Sequence, residues 1–274
     1  MNNAGQATPL TDPVEIADES GFPFQIALEA EVTKRSRDWQ FACREKAWRV
    51  DKYEGFIDLM FTSGPLVAVV ECKRRRDAHP LVFITPAPLN RNRNEVRLRW
   101  FKFLSPTVEG RSLSRVAQLP LLPLSHIAEF CQIKGSSSSD RPTLERWAGE
   151  LIIATDALAS QLYYQTQQID KQERVGALLP IIVTNAPLKI VGVDAIDFDL
   201  TSGRIGSSEV QDVDFVRFQK SFVDVSGSLA PVFSNMYDLD SRSVFIVRAN
   251  KFANFLNELR DATVGVTPPW KLNW

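Results

Sequence analysis

The spacing of apolar and polar positions changes several times along the chain, and each change marks an element. In PFQIALEAEVTKRSRDWQ (23–40) Phe24, Leu28, Val32 and Trp39 recur at helical spacing, which predicts a helix with one apolar side. WQFACREKAWRVD (39–51) alternates apolar and polar residues and predicts a strand. EGFIDLMF (54–61) predicts a second strand, closed by the turn signal TSGP. LVAVVECK (66–73) predicts a third. Its run from Leu66 to Val70 is apolar on both faces, as in a strand buried within a sheet. PLVFITP (80–86) reads as a further short strand, and RPTLERWAGELIIATDALASQLYYQTQQ (141–168) as a long helix with Pro142 near its start. LLPIIVTNA (178–186) and LKIVGVD (188–194) predict two apolar strands joined by a tight turn. RSVFIVRA (242–249) and NKFANFLNELRDA (250–262) predict a closing strand and helix.

The core order is therefore helix, three strands, helix, strand. Residues 1–20 are expected to be a flexible leader, and residues 21–274 one domain. Within it, residues 77–142 form an insertion longer than an ordinary connection, and residues 199–274 a C-terminal extension.

Composition narrows the function. The 274 residues carry 32 basic and 33 acidic side chains, so a nucleic-acid surface would have to be a local basic patch. The three cysteines fit neither a zinc pattern nor a disulfide framework, which points to a reducing, cytoplasmic setting. The leader is polar and acidic, unlike a signal peptide, and no apolar run approaches the roughly 20 residues of a membrane span. There is no Gly-rich phosphate loop to support ATP hydrolysis. His79 and His126 stand far apart with no nucleophile pattern, and Asp194, Asp197 and Asp199 lack the Gly and closing Glu of a calcium loop.

The informative stretch is GFIDLMFTSGPLVAVVECKRR (55–75). Strands are depleted in Asp, Glu and Lys, yet Asp58, Glu71 and Lys73 lie in two of them. Alternation puts Glu71 and Lys73 on one face, with Val70 and Cys72 on the other. A hairpin through TSGP would bring Asp58 towards Glu71. Two converging carboxylates repel unless a cation sits between them, and hard oxygen donors suit Mg²⁺ or Mn²⁺. Lys73 beside such a site would stabilise phosphate charge or orient water. The triplet Glu-x-Lys carries little by count, since 33 acidic residues and 11 lysines produce about one by chance. Its place at the end of a buried strand, after a strand bearing Asp, carries the weight.

The helix, GFIDLMF, VVECKR and the later helix and strand resemble the PD-(D/E)XK nuclease superfamily. The resemblance covers residues 22–73 well and 143–193 in outline. It implies an α/β, restriction-endonuclease-like αβββαβ core, with a mixed central sheet flanked by helices. It also implies metal binding by Asp58 and Glu71 and a catalytic role for Lys73. Ile57 stands where the family usually has Pro. Many members add a glutamate from the first helix. Glu29 resembles that pattern, with Leu28 before it and Val32 three residues on, whereas Glu31 lies closer to the apolar stripe; Glu29 is preferred. Gln161 matches a Gln-x-x-x-Tyr signature of some members imperfectly, and a plain helix surface accounts for it better.

Arg74, Arg75 and Arg76 continue from the motif and suit phosphate contacts. Arg97 and Arg99, with Arg91, Arg93 and Lys102, flank Trp100 and Phe101, cations with stacking rings that suit nucleic acid. The resemblance implies a Mg²⁺- or Mn²⁺-dependent nuclease acting on DNA in preference to RNA, with restriction or defence as a role. A catalytically silent nucleic-acid-binding or assembly module within a larger complex is the alternative. Self-association is left open, and no membrane partner is expected.

Overall fold

The computed structural model describes residues 12–50, 52–64, 66–76, 79–89, 95–103, 114–120, 125–134, 143–169, 174–206, 208–221 and 241–264. Within the stretch read as a leader it places a short helix, α1 (Pro13–Glu19). Pro13 opens it, and Asp12 Oδ1 caps it by accepting from the Val14 amide at 2.9 Å. Next comes α2 (Phe22–Arg35), begun at Gly21 with φ 81 and carrying Lys34 and Arg35 in its last turn, where cations complement the helix dipole.

Ser36 turns extended and ends α2 before Trp39. The expectation that Trp39 continues the helix is thus corrected. Its indole is nevertheless buried, donating from Nε1 to the Leu256 carbonyl at 2.8 Å, so spacing marked its burial and not its element.

Three antiparallel strands follow: β1 (Gln40–Val50), β2 (Tyr53–Ser63) and β3 (Leu66–Lys73). The next pieces are β4 (Leu81–Pro86), β5 (Glu95–Phe103), β6 (Ser114–Pro120), β7 (Ile127–Ala128) and β8 (Phe130–Ile133). Helix α3 (Thr143–Ile169) leads to β9 (Arg174–Thr184), β10 (Leu188–Val193), β11 (Phe198–Asp199), β12 (Arg204–Ile205), β13 (Ser208–Val213) and β14 (Phe215–Ser221). The last described elements are β15 (Ser241–Arg248), a 3₁₀ turn over Ala249–Lys251 and α4 (Phe252–Val264).

The main sheet is mixed. Its strands run in the order β1-β2-β3-β9-β15-β14-β7, with β9 parallel to both β3 and β15, and the β5–β6 pair joins the first part of β9. A second sheet has the order β13-β10-β4-β8. Here β9 and β10, expected as neighbouring strands across a tight turn, enter different sheets. Asn185, between them, spends its side chain on Arg75, accepting from the backbone N–H at 2.7 Å and donating to the C=O at 2.8 Å.

Two cores lie on opposite faces of the main sheet. One packs Val69, Ile182 and Ile246 against α3 and against Phe83, Ile133 and Ile190 of the second sheet. The other packs Val70, Ile181 and Phe245 against Leu28 and Val32 of α2 and Phe252, Phe255 and Leu256 of α4. This two-faced covering is why β3 reads as continuously apolar. Phe61 is 0% exposed, with its ring 5.9 Å and edge-on from both Phe41 and Phe252. Phe61→Ala is expected to cost about 3–5 kcal/mol, read as a lower denaturant midpoint at unchanged slope. Among the described residues, no helix is long and apolar enough to cross a membrane.

Candidate active site

Strands β2 and β3 pair from Ser63↔Leu66 to Leu59↔Val70 and then part. Past the fork β2 stays on β1 as far as Tyr53, while β3 stays on β9 as far as Lys73. Asp58 and Glu71 are the first residues beyond it on each strand. The Asp58 carboxylate takes over where the ladder stops: Oδ2 accepts from the Cys72 amide at 2.6 Å. Lys73 Nζ donates to Glu71 Oε1 at 2.5 Å and lies 5.5 Å from the ring centre of Trp147 on α3.

The fork opens into a cavity of about 310 Å³. Its walls are Asp58, Glu71, Cys72 and Lys73 from the strands, Phe24 and Gln25 from α2, Glu19, Ser20 and Gly21 from the joint with α1, and Arg74 and Arg76. Asp58, Glu71 and Lys73 are thus brought together.

The helix contributes a different residue from the one preferred on sequence grounds. Glu29 is paired with Arg44 of β1, and Glu31 with Arg35 one turn on at 2.7 Å; neither lines the cavity. The place on α2 belongs to Gln25, one turn before Glu29. Gln25 is 7% exposed, and its Nε2 donates to Glu45 Oε1 at 2.8 Å. That bond fixes the amide's orientation, because the flipped form would set two oxygens against each other. Gln25 Oε1 is then a buried oxygen with no partner. A signal existed: Gln25 sits three residues before Leu28, on the apolar side where a polar residue is out of place.

Glu45 carried no comparable signal. Arg44 and Lys46 pair with Leu59 and Ile57, which leaves Glu45 level with Asp58. Its backbone takes φ 51, a region a non-glycine residue seldom enters. An outlier of this kind beside a cavity points towards function.

The electrostatics follow from this crowding. Burial pushes the Asp58 carboxyl up to about 7, and the charge of Glu71 acts in the same direction. Burial also raises Glu71; Lys73 opposes this, while Glu150 of α3 and Glu45 add to it. Burial raises the Cys72 thiol strongly, so it is not a thiolate nucleophile. Asp58 and Glu71 are thus both disfavoured as anions, and a cation between them would relieve both. The unpartnered Gln25 oxygen and two carboxylates form a hard-oxygen donor set of the kind Mg²⁺ or Mn²⁺ takes. Among the described residues, no three His, Cys, Asp or Glu side chains are grouped to hold a metal, so the fit depends on the amide oxygen.

The basic residues divide. Arg74 and Arg76 line the cavity mouth and are engaged by α1: Arg74 Nη2 meets Asp18 Oδ2 at 2.6 Å, and Arg76 Nη1 meets Glu19 Oε1 at 3.2 Å. Arg75 is held through its backbone by Asn185. Arg97 and Arg99 are not brought to the fork by the sheet's register. Arg99 pairs with Leu178, which is level with Val67, whereas Lys73 is level with Thr184 at the other end of β9. Six residues of strand separate the two levels, about 20 Å. The side chains of Arg97, Arg99 and Lys102 lie outside the described residues, as do Arg91 and Arg93 entirely. Asp194 and Asp199 serve as local turn caps, accepting from the amides of Ile196 and Thr201. Comparisons with family models, with curated proteins and with solved structures each returned no match.

Proposed function

We propose that the chain is a metal-dependent nuclease that hydrolyses phosphodiester bonds, of DNA in preference to RNA. The observation that carries this reading is the fork itself, which sets two charge-strained carboxylates, a lysine and an unpartnered amide oxygen around one cavity. The element order α2-β1-β2-β3, then α3-β9, with β9 parallel to β3, supports a restriction-endonuclease-like core.

Asp58 and Glu71 would hold Mg²⁺ or Mn²⁺, with Gln25 Oε1 as a further donor. When bound, such an ion lowers the pKa of water and polarises a phosphoryl oxygen. Glu71 also tethers the Lys73 ammonium, and Trp147 flanks it, so the cation is positioned before substrate arrives. Lys73 then donates towards a non-bridging phosphate oxygen as charge builds there. Arg74 and Arg76 are placed to meet neighbouring phosphates.

The test is incubation of purified protein with plasmid and single-stranded DNA in Mg²⁺, Mn²⁺ or EDTA. Nicked or linear product with metal and none in EDTA is the expected result. Cleavage that persists in EDTA would sink the reading. A second reading, a silent nucleic-acid-binding module, draws on the Glu71–Lys73 ion pair, in which the lysine already offsets part of the strain on one of the two carboxylates. It predicts salt-dependent binding without cleavage in any metal.

A further inference from the structure

Helix α1 lies against the mouth of the fork cavity, with Glu19 in its wall. Residues 12–20 read DPVEIADES, with Asp12, Glu15, Asp18 and Glu19 and no basic residue. None of the helix's residues is buried, and Val14 and Ile16 remain 72% and 55% exposed. Seven residues without an anchored apolar face make a marginal helix in water.

Its hold on the body is polar. Arg74 grips Asp18 twice, through the carboxylate at 2.6 Å and through the backbone carbonyl, and Arg76 meets Glu19 at 3.2 Å. Exposed ion pairs of this kind contribute little each and weaken with salt. The next residues, Ser20 and Gly21, join α1 to α2. Gly21 has φ 81 and open space around it, so the joint can turn without displacing a side chain. The two arginines face the same cavity as Asp58, Glu71 and Lys73.

We propose that α1 is a displaceable acidic strap: Asp18 and Glu19 occupy the Arg74 and Arg76 sites that backbone phosphates of the nucleic acid take, and the incoming strand expels them. This inference rests on the nuclease reading, in that it needs phosphates at those arginines. The chemistry is an exchange of like for like, since a guanidinium fork fits carboxylate and phosphate oxygens alike. A nucleic acid carries many phosphates and releases bound counterions on docking, so it competes well against two carboxylates on a loosely held helix. The strap raises the threshold for binding and disfavours small isolated anions, which bring one charge and no neighbours.

The experiment measures fluorescence anisotropy of a labelled 20-base-pair duplex in EDTA at low salt, using full-length proteins. Asp18→Asn/Glu19→Gln is expected to bind about tenfold more tightly than the wild type. Glu129→Gln/Glu209→Gln removes the same charge at exposed positions away from the cleft and is expected to gain much less. Hydrogen exchange across residues 13–19 is expected to quicken when duplex is added to the wild type. An unchanged affinity for Asp18→Asn/Glu19→Gln, an equal gain for Glu129→Gln/Glu209→Gln, or slower exchange in residues 13–19 overturns the strap. Arg74→Ala/Arg76→Ala separates the two claims. Weakened binding in that protein with no gain from Asp18→Asn/Glu19→Gln removes the strap and leaves the nucleic-acid face standing. Binding that ignores both arginines, or no binding at all, removes the two together.

Discussion

Asp58→Asn is expected to abolish cleavage, by at least about 10³-fold, and at the same time to stabilise the metal-free protein above pH 7. The two effects share one cause. Burial and the Glu71 charge hold the Asp58 carboxyl at about 7, against an ordinary value of 3.8. Between those values the folded chain keeps a proton that the unfolded chain gives up. Folding stability therefore falls as pH rises through that window and is least favoured above it. At about 1.4 kcal/mol per pH unit the whole difference would be worth about 4 kcal/mol, and solvent screening through the open cavity reduces it to about 1–3 kcal/mol. The amide of the D58N protein can still accept from the Cys72 amide, so the strand fork is preserved while the charge is gone. Thermal unfolding from pH 4 to pH 9 in EDTA should show the wild type losing more stability with pH than the variant, which keeps the smaller loss due to the buried Glu71. Parallel curves would show that Asp58 does not carry the strained proton. Unimpaired cleavage by D58N would move the active site elsewhere.

Lys73→Met is expected to separate binding from chemistry. The ammonium is held by Glu71 and lies against Trp147, and its stem leaves the end of β3 beside the cavity. Losing a preorganised donor to a developing oxyanion costs about 10²–10³-fold in rate. Metal binding should not fall with it, because removing the lysine frees a Glu71 oxygen. Single-turnover cleavage and calorimetric Mn²⁺ titration measure the two quantities independently. A rate loss with retained Mn²⁺ affinity assigns Lys73 to the phosphate side. An equal loss of both would assign it to shaping the Glu71 carboxylate.

The parts of this arrangement legible in sequence are those set by local periodicity. Alternation along LVAVVECK placed Glu71 and Lys73 on one face, and a short turn fixed the register that brings Asp58 level with Glu71. Gln25 was half legible, as a polar residue on an apolar helix side. Glu45 was not, because its role depends on a left-handed backbone at one point in a strand pairing. Glu29 lies away from the cavity for a reason of rotation: one position past Leu28, it turns towards β1 and meets Arg44. The second sheet escaped local reading altogether. Nothing within LVFITP says that its partner is LKIVGV, on the far side of α3.

That pairing bears on how the chain is made. Strand β4 leaves the ribosome early and finds β8 within some 50 residues, but its other edge waits for β10. From Pro86 to Leu188 is 102 residues (188 minus 86), a delay of roughly 5–20 s at ordinary synthesis rates. Throughout that interval an apolar strand, with Leu81 and Phe83 destined for full burial, has one side unpaired. The nascent chain's exposure to mispairing is thus written into the position of β10, and ribosome stalling within α3 would prolong it.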